Sequence, residues 1–338
     1  MKNAKWKNTL ITLAVPFGMW LLMELLCRIT MGRAVIASSL DLKNYVRNVG
    51  ISACVALALS FNLGTGRFDL SLGAQRIAAT VVGGNLALRL GLGSMGVLLF
   101  ALAFGLLFGG LVGLIFVTFR VPPMVLGVGM ALIYECVAFA SSDANGLQLF
   151  GKGVDSLSNM GFTIIVVALA TVFVAVLYQY TSFGYRMRAI TGSQKIAKDS
   201  GINIFSHAFW SYTLAGGLVS FSGVFDAAFK GNMSVNLGFS SNTTVMQNCF
   251  AMFLGKYLAR WSNEALGIVV ATMTLKMLGT GMSVMKLSDN VVQLTNMALF
   301  LLFLIFRANE NVFKQRKQRN AKIQQAQEKK KTMLAAAV

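Results

Sequence analysis

The sequence predicts an all-α polytopic integral membrane protein of about ten transmembrane helices. Three observations carry that expectation. Of the 338 residues, 56% are hydrophobic and only 12% charged, and a soluble protein needs more charge than that to cover its surface. Long apolar runs recur from end to end, so the apolar excess is not one buried core. The basic residues behind the net charge of +18 are grouped: nine lie at or beyond Arg307 and others sit in short gaps between apolar runs. That grouping is the positive-inside pattern and suits a cytoplasmic face of anionic lipid. Nothing interleaves aromatic and basic residues as a nucleic-acid module does, so nucleic acid is not an expected partner.

A span takes roughly 20 apolar residues. Spans are expected near 9–27, 44–63, 72–91, 95–119, 122–141, 161–180, 207–229, 243–259, 263–282 and 289–306. The N-terminal stretch is too long in its apolar part for a signal peptide, and no A-x-A-like site follows. It reads as a first membrane helix that also targets the chain. The region 44–91 is interrupted by Gly64, Gly66, Arg67 and Asp69. In GLLFGGLVG, Gly105, Gly109 and Gly113 share one helix face, which lets another helix approach closely.

An even count puts both termini on one side, and the basic tail makes that side cytoplasmic. The cytoplasmic gaps then hold Arg67, Arg76, Arg120, Arg186, Arg188, Lys195, Lys198, Lys256 and Arg260. The first external loop, with Arg28, Arg33, Lys43 and Arg47, breaks the rule. The largest internal loop, 181–206, is long enough for one or two short surface helices. Residues 1–306 are read as the membrane domain and 307–338 as a basic cytoplasmic tail, solvated or headgroup-associated.

Bond chemistry finds no home here, and neither a catalytic nor a metal site is expected. His207 is the single histidine, which excludes a His-pair zinc hydrolase. Its place at a helix end suggests a capping or interfacial role. Cys27, Cys54, Cys136 and Cys249 are scattered through apolar segments and read as packing residues. GLQLFGKG, from Gly146 to Gly153, is a near miss to a phosphate-binding loop: Gly153 stands where the hydroxyl residue belongs. If ATP is used, another chain binds it.

Two stretches resemble a known family. TGRFDLSLG, Thr65 to Gly73, resembles the TGGIDLSVG element of permease subunits of bacterial ABC sugar importers of the ribose/xylose/arabinose/galactose type. Thr181 to Ile202 resembles that family's cytoplasmic segment without gaps. Val121 to Met130 and Tyr212 to Gly223 resemble two further stretches, in the same order. The chain departs from the pattern at Arg67, a family glycine, and at Tyr185, Ser193 and Glu135, so it is a divergent member.

The resemblance implies a second permease subunit, identical or related, a cytoplasmic ABC ATP-binding subunit holding ATP and magnesium, and an extracytoplasmic solute-binding protein that delivers a monosaccharide or similar solute. No cofactor is expected on this chain, which is placed in the inner (plasma) membrane in contact with lipid.

Within 181–206 the resemblance makes Phe183, Gly184, Arg186, Arg188, Ala197, Ser200, Gly201 and Ile202 candidates for coupling to the ATPase. On the residues alone, a basic loop held at lipid headgroups competes with that reading. Asp69 and Ser71 either cap a broken helix or line the solute path. Ionisable groups within spans are costly and face a partner or a wet cavity. Glu24 with Arg28, and Asp226 with Lys230, have local partners four residues away. Glu135 and Lys276 lack one, so they are candidates for the path or for a buried pair with each other. Asn62, Gln75 and Gln247 can match sugar hydroxyls, and Phe61 or Trp210 can stack on a sugar. The competing class is an ion-coupled secondary transporter, which needs midplane acids and an inverted repeat; Glu135 and Asp226 supply acids, but no repeat is evident.

Overall fold

A computed structural model describes residues 2–310 and Arg319, with side chains from residue 11 onward. In chain order the helices are α1 (Lys2–Met31), α2 (Ser39–Leu63), α3 (Leu72–Arg89), α4 (Gly93–Phe119), α5 (Pro123–Ser141), α6 (Met160–Tyr180), α7 (Ser182–Gly192), α8 (Gln194–Asp199), α9 (Ile204–Lys230), α10 (Asn242–Leu258), α11 (Glu264–Val284) and α12 (Asp289–Glu310). Each expected span coincides with one long helix, and the expected internal loop carries the two short ones, α7 and α8. The protein is an all-α polytopic membrane protein: stretches in α1, α2, α4, α5, α6, α11 and α12 are long and apolar enough to cross a membrane. The other long helices, α3, α9 and α10, carry polar side chains among their apolar ones.

Polar caps set the helix starts, because the first N–H groups of a helix lack internal partners. Ser38 and Asp41 form a reciprocal capping box on α2. Asn159, Asn203 and Asn263 each accept a backbone N–H at the starts of α6, α9 and α11. Pro123 stands in the first turn of α5, where a missing N–H costs nothing.

One departure from all-helix is small. Leu147–Gln148 pairs antiparallel with Asn232–Met233, tying the loop after α5 to the end of α9. The GLQLFGKG stretch is this two-residue strand followed by glycine turns, with Gly146 at φ +66° against the Met233 carbonyl. Only a single 3-10 turn, Asp155–Ser158, follows it, not the long helix whose N-terminus cradles a phosphate.

Residues 1–292 form one compact unit. At its centre α9 packs along α4 and α2. The expected glycine face of α4 lies on α9: side chains added at Gly105, Gly109 or Gly113 would collide with the backbone of Gly216, Tyr212 or Phe209. Close backbone approach is how helices gain contact energy where lipid removes the hydrophobic drive. In the second unit, which begins at Gln293, the described residues continue α12, with an Arg307–Glu310 ion pair at 2.8 Å. The rest of the basic tail, Arg319 apart, lies outside the described residues.

Cys27, Cys54 and Cys249 are buried free thiols; Cys136 is exposed and free. Glu24 pairs with Arg28 at 2.7 Å and Asp226 with Lys230 at 2.9 Å, as their spacing implies. Two expectations need correction. Arg76 is not a cytoplasmic gap residue: it is buried in α3 and bonds Asp226 of α9 at 3.1 Å. His207 is not the cap of α9, a role taken by Asn203. The imidazole stacks on Phe183 at 4.4 Å and lies 3.3 Å from the Phe183 carbonyl, joining α9 to α7.

Candidate functional site

Between α2 and α3 the chain does not run directly from one helix into the next. Arg67 reaches the carbonyl of Ile204, at the start of α9, at 3.3 Å. Gln75 lies against Gly216, halfway along α9. Eight residues thus climb roughly 18 Å along α9, at 1.5 Å per helical residue, and α3 begins inside the protein. Non-helical backbone at membrane depth is tolerated only where protein or a wet cavity surrounds it. Asp69, Leu70 and Ser71 are buried accordingly.

This segment carries a connected polar network. Asn62 Nδ2 donates to Asp69 Oδ2 at 3.1 Å. The Ser71 N–H and hydroxyl both donate to Asp69 Oδ1, at 2.9 and 2.6 Å. Gln75 Nε2 donates to Ser71 Oγ at 2.6 Å. Four residues singled out in the sequence are therefore joined, and all four are buried. Asp69 satisfies the N–H of the residue that opens α3, an Asx turn rather than a cap two or three residues further on. Asn62 Oδ1, Gln75 Oε1 and the Tyr212 hydroxyl are buried and have no hydrogen-bond partner among the described residues. Such groups are costly unless water or a ligand meets them.

The remaining path candidates lie elsewhere. Glu135 does not pair with Lys276. Its carboxylate accepts the N–H groups of Phe239 at 2.8 Å and Ser241 at 3.0 Å, just before α10. Lys276 is half-buried in α11. Gln247 is exposed on α10. Phe61 is enclosed by Tyr178 and Phe183, at 5.2 and 5.9 Å between ring centres, and Trp210 is exposed.

The helices α7 and α8 hold the coupling candidates and touch the end of α2. Thr191 donates to the Gly64 carbonyl at 2.8 Å, and Gln194 to that of Thr65 at 3.2 Å. Gly184 is pressed against the backbone of Tyr178, with no room for a side chain. Ala197 is buried and Phe183 and Ile202 are half-buried; Arg186, Arg188 and Ser200 are exposed. Gly201 follows α8 at φ +80°, a left-handed position that other residues rarely adopt. Beside the bases, Tyr185 and Ile196 are exposed at 70% and 67%, so the outer face mixes charge with apolar area. Sequence reading missed Arg76, Thr191 and Gln194 as joints, because their partners lie more than 120 positions away.

A buried polar break between helices, linked to an exposed basic helix pair, is an arrangement suited to a membrane transport protein. The chain belongs to the family described as branched-chain amino acid transport system/permease component, whose model matches residues 42–307. It is 27% identical over 267 residues to the galactose/methyl galactoside import permease protein of Escherichia coli, covering 72% of this chain and 80% of that one. It is 24% identical over 254 residues to the fructose import permease protein of Rhizobium meliloti, covering 70% of each. The ribose import permease protein of Bacillus subtilis is 26% identical over 194 residues, covering 54% of this chain and 59% of that one. Its fold resembles a solved chain described as an inward-facing conformation of a metal-chelate type ABC transporter, with TM-score 0.52 and 16% identity, covering 86% of this chain and 98% of that one. This is a divergent, multi-pass permease of the inner membrane.

Proposed function

We propose that the chain is the membrane-spanning subunit of an ATP-driven importer that translocates a monosaccharide or similar small polar solute delivered by an extracytoplasmic binding protein. The observation that carries this reading is the joint between α7–α8 and the end of α2. Force applied to the exposed face of α7–α8 passes through Thr191 and Gln194 to Gly64 and Thr65, at the start of the segment that holds the buried network. In this reading ten helices cross the membrane, both termini are cytoplasmic, and α7–α8 docks on an ABC ATP-binding subunit. That subunit holds ATP and magnesium, and Phe183, Gly184, Arg186, Arg188, Ala197, Ser200, Gly201 and Ile202 shape the docking element. A second permease subunit completes the path.

Asn62, Asp69, Ser71 and Gln75 form the solute-facing set. The unmatched acceptors Asn62 Oδ1 and Gln75 Oε1 suit the hydroxyl donors of a sugar. The relatives named for galactose, fructose and ribose support a monosaccharide. An ion-coupled carrier is disfavoured because its two candidate acids are already committed: Glu135 to two backbone N–H groups, and Asp226 to Arg76 and Lys230.

The test is gentle purification of the tagged chain from its native membrane, with mass spectrometry of what accompanies it. Recovery of a nucleotide-binding ATPase is expected. A homo-oligomer alone, with crosslinking and nucleotide present, would overturn the reading.

A further inference from the structure

Beside the joint lies a cavity of about 610 Å³, bounded by Gly66 and Arg67, by Lys198 of α8, by Phe116 and Pro123, and by Ile202–Phe205 at the start of α9. Its wall holds an uncompensated charge. Arg67 is only 3% exposed, and among the described residues no carboxylate forms an ion pair with it. Its guanidinium donates to two neutral oxygens, Thr65 Oγ1 at 2.9 Å and the Ile204 carbonyl at 3.3 Å, and lies 5.8 Å from the Phe116 ring centre. Neutral oxygens satisfy N–H groups but leave the charge unmatched, and an unpaired buried charge is costly. Lys198 stands exposed at the rim, adding a second cation.

We propose that this cavity binds a small molecule bearing a phosphate monoester, with the phosphate between Arg67 and Lys198 and the rest of the ligand against Phe205. Two cations match the −1.5 to −2 charge of a monoester at neutral pH. The Arg fork suits its oxygens, and the volume exceeds what a bare ion fills. A bound ligand ties α8 to the 64–71 segment, across the joint itself. The source is either a soluble metabolite or the monoester headgroup of phosphatidic acid. The site stands on its own geometry, independent of the transport reading.

The test measures the melting temperature of the full-length chain in phosphatidylcholine nanodiscs at constant ionic strength. Adenosine monophosphate is the probe and adenosine the neutral control. The monophosphate is expected to raise the melting temperature and adenosine to leave it unchanged. Arg67→Gln and Lys198→Gln each weaken half-saturation roughly tenfold, the loss of one charge-assisted contact. Lys198 is exposed, so its variant folds even if the Arg67 variant does not. A rise only in nanodiscs containing phosphatidic acid, reduced by Lys198→Gln, assigns the same site to the lipid. No rise with either source, or equal rises in wild type and Lys198→Gln, overturns the proposal.

Discussion

Asp69 accepts three hydrogen bonds and has no cationic partner within ion-pair distance among the described residues, so its worth lies in what it organises. Asp69→Asn replaces one acceptor oxygen with a donor, facing either Asn62 Nδ2 or the two Ser71 donors. The expected cost is about 1–3 kcal/mol of stability, together with loss of uptake. Unchanged melting and unchanged uptake would show that neither the turn nor the path depends on this carboxylate. The Arg76–Asp226 pair is a purely structural case, with both side chains about nine-tenths buried. Asp226→Leu strands a buried guanidinium and should cost about 3–5 kcal/mol, whereas the double variant Arg76→Met with Asp226→Leu should recover most of it. Thermal unfolding of the four proteins in one detergent checks this; simple additivity would mean the two charges do not interact.

The contact of α4 with α9 is governed by what is absent from the side chains. Gly109→Leu drives a side chain into the Tyr212 carbonyl and should abolish folded protein, read as loss of the monodisperse peak in size-exclusion chromatography. Gly110→Ala is the control from the same turn: its added carbon would lie 3.4 Å from Thr213 Oγ1, an ordinary contact, so the peak should persist. The short helices obey a different constraint. At Gly201 an added Cβ would meet no neighbour within 4 Å, but Gly201→Trp imposes strain at φ +80°, worth roughly 1–2 kcal/mol. It should turn the chain after α8 while leaving the long helices folded. The expected result is a melting temperature close to wild type and a sharp drop in copurifying ATPase; undiminished recovery would remove α8 from the coupling element.

Across residues 1–292, the four stretches that carried the family resemblance converge. Gly127 of α5 sits on the backbone of Leu70, Gly216 and Gly223 of α9 on Gln75 and Thr80, and α7–α8 on Gly64 and Thr65. The resemblance was therefore read from the residues around one buried, non-helical segment. For an assembled importer, uptake into cells should collapse when ATP is depleted and survive an uncoupler that leaves ATP intact. The opposite pattern would restore the ion-coupled carrier.

Sequence by itself determined the membrane class, the positions of the ten long helices, the interruption after α2, the glycine face of α4 and an internal loop with room for one or two short helices. Each is a local property: apolar run length, residue spacing or chain-breaking residues register within one turn or one span. It also singled out Asn62, Asp69, Ser71 and Gln75, because polar groups in apolar surroundings stand out. Only the tertiary structure decided their partners. Glu135 lacks a neighbour along its helix, yet 104 positions later the backbone supplies its donors; Arg76 looks like a positive-inside residue until α9 brings Asp226 to it. Backbone N–H groups are identical in every sequence, and ion pairs between distant helices depend on register and rotation. Such pairings exist only once the helices are packed.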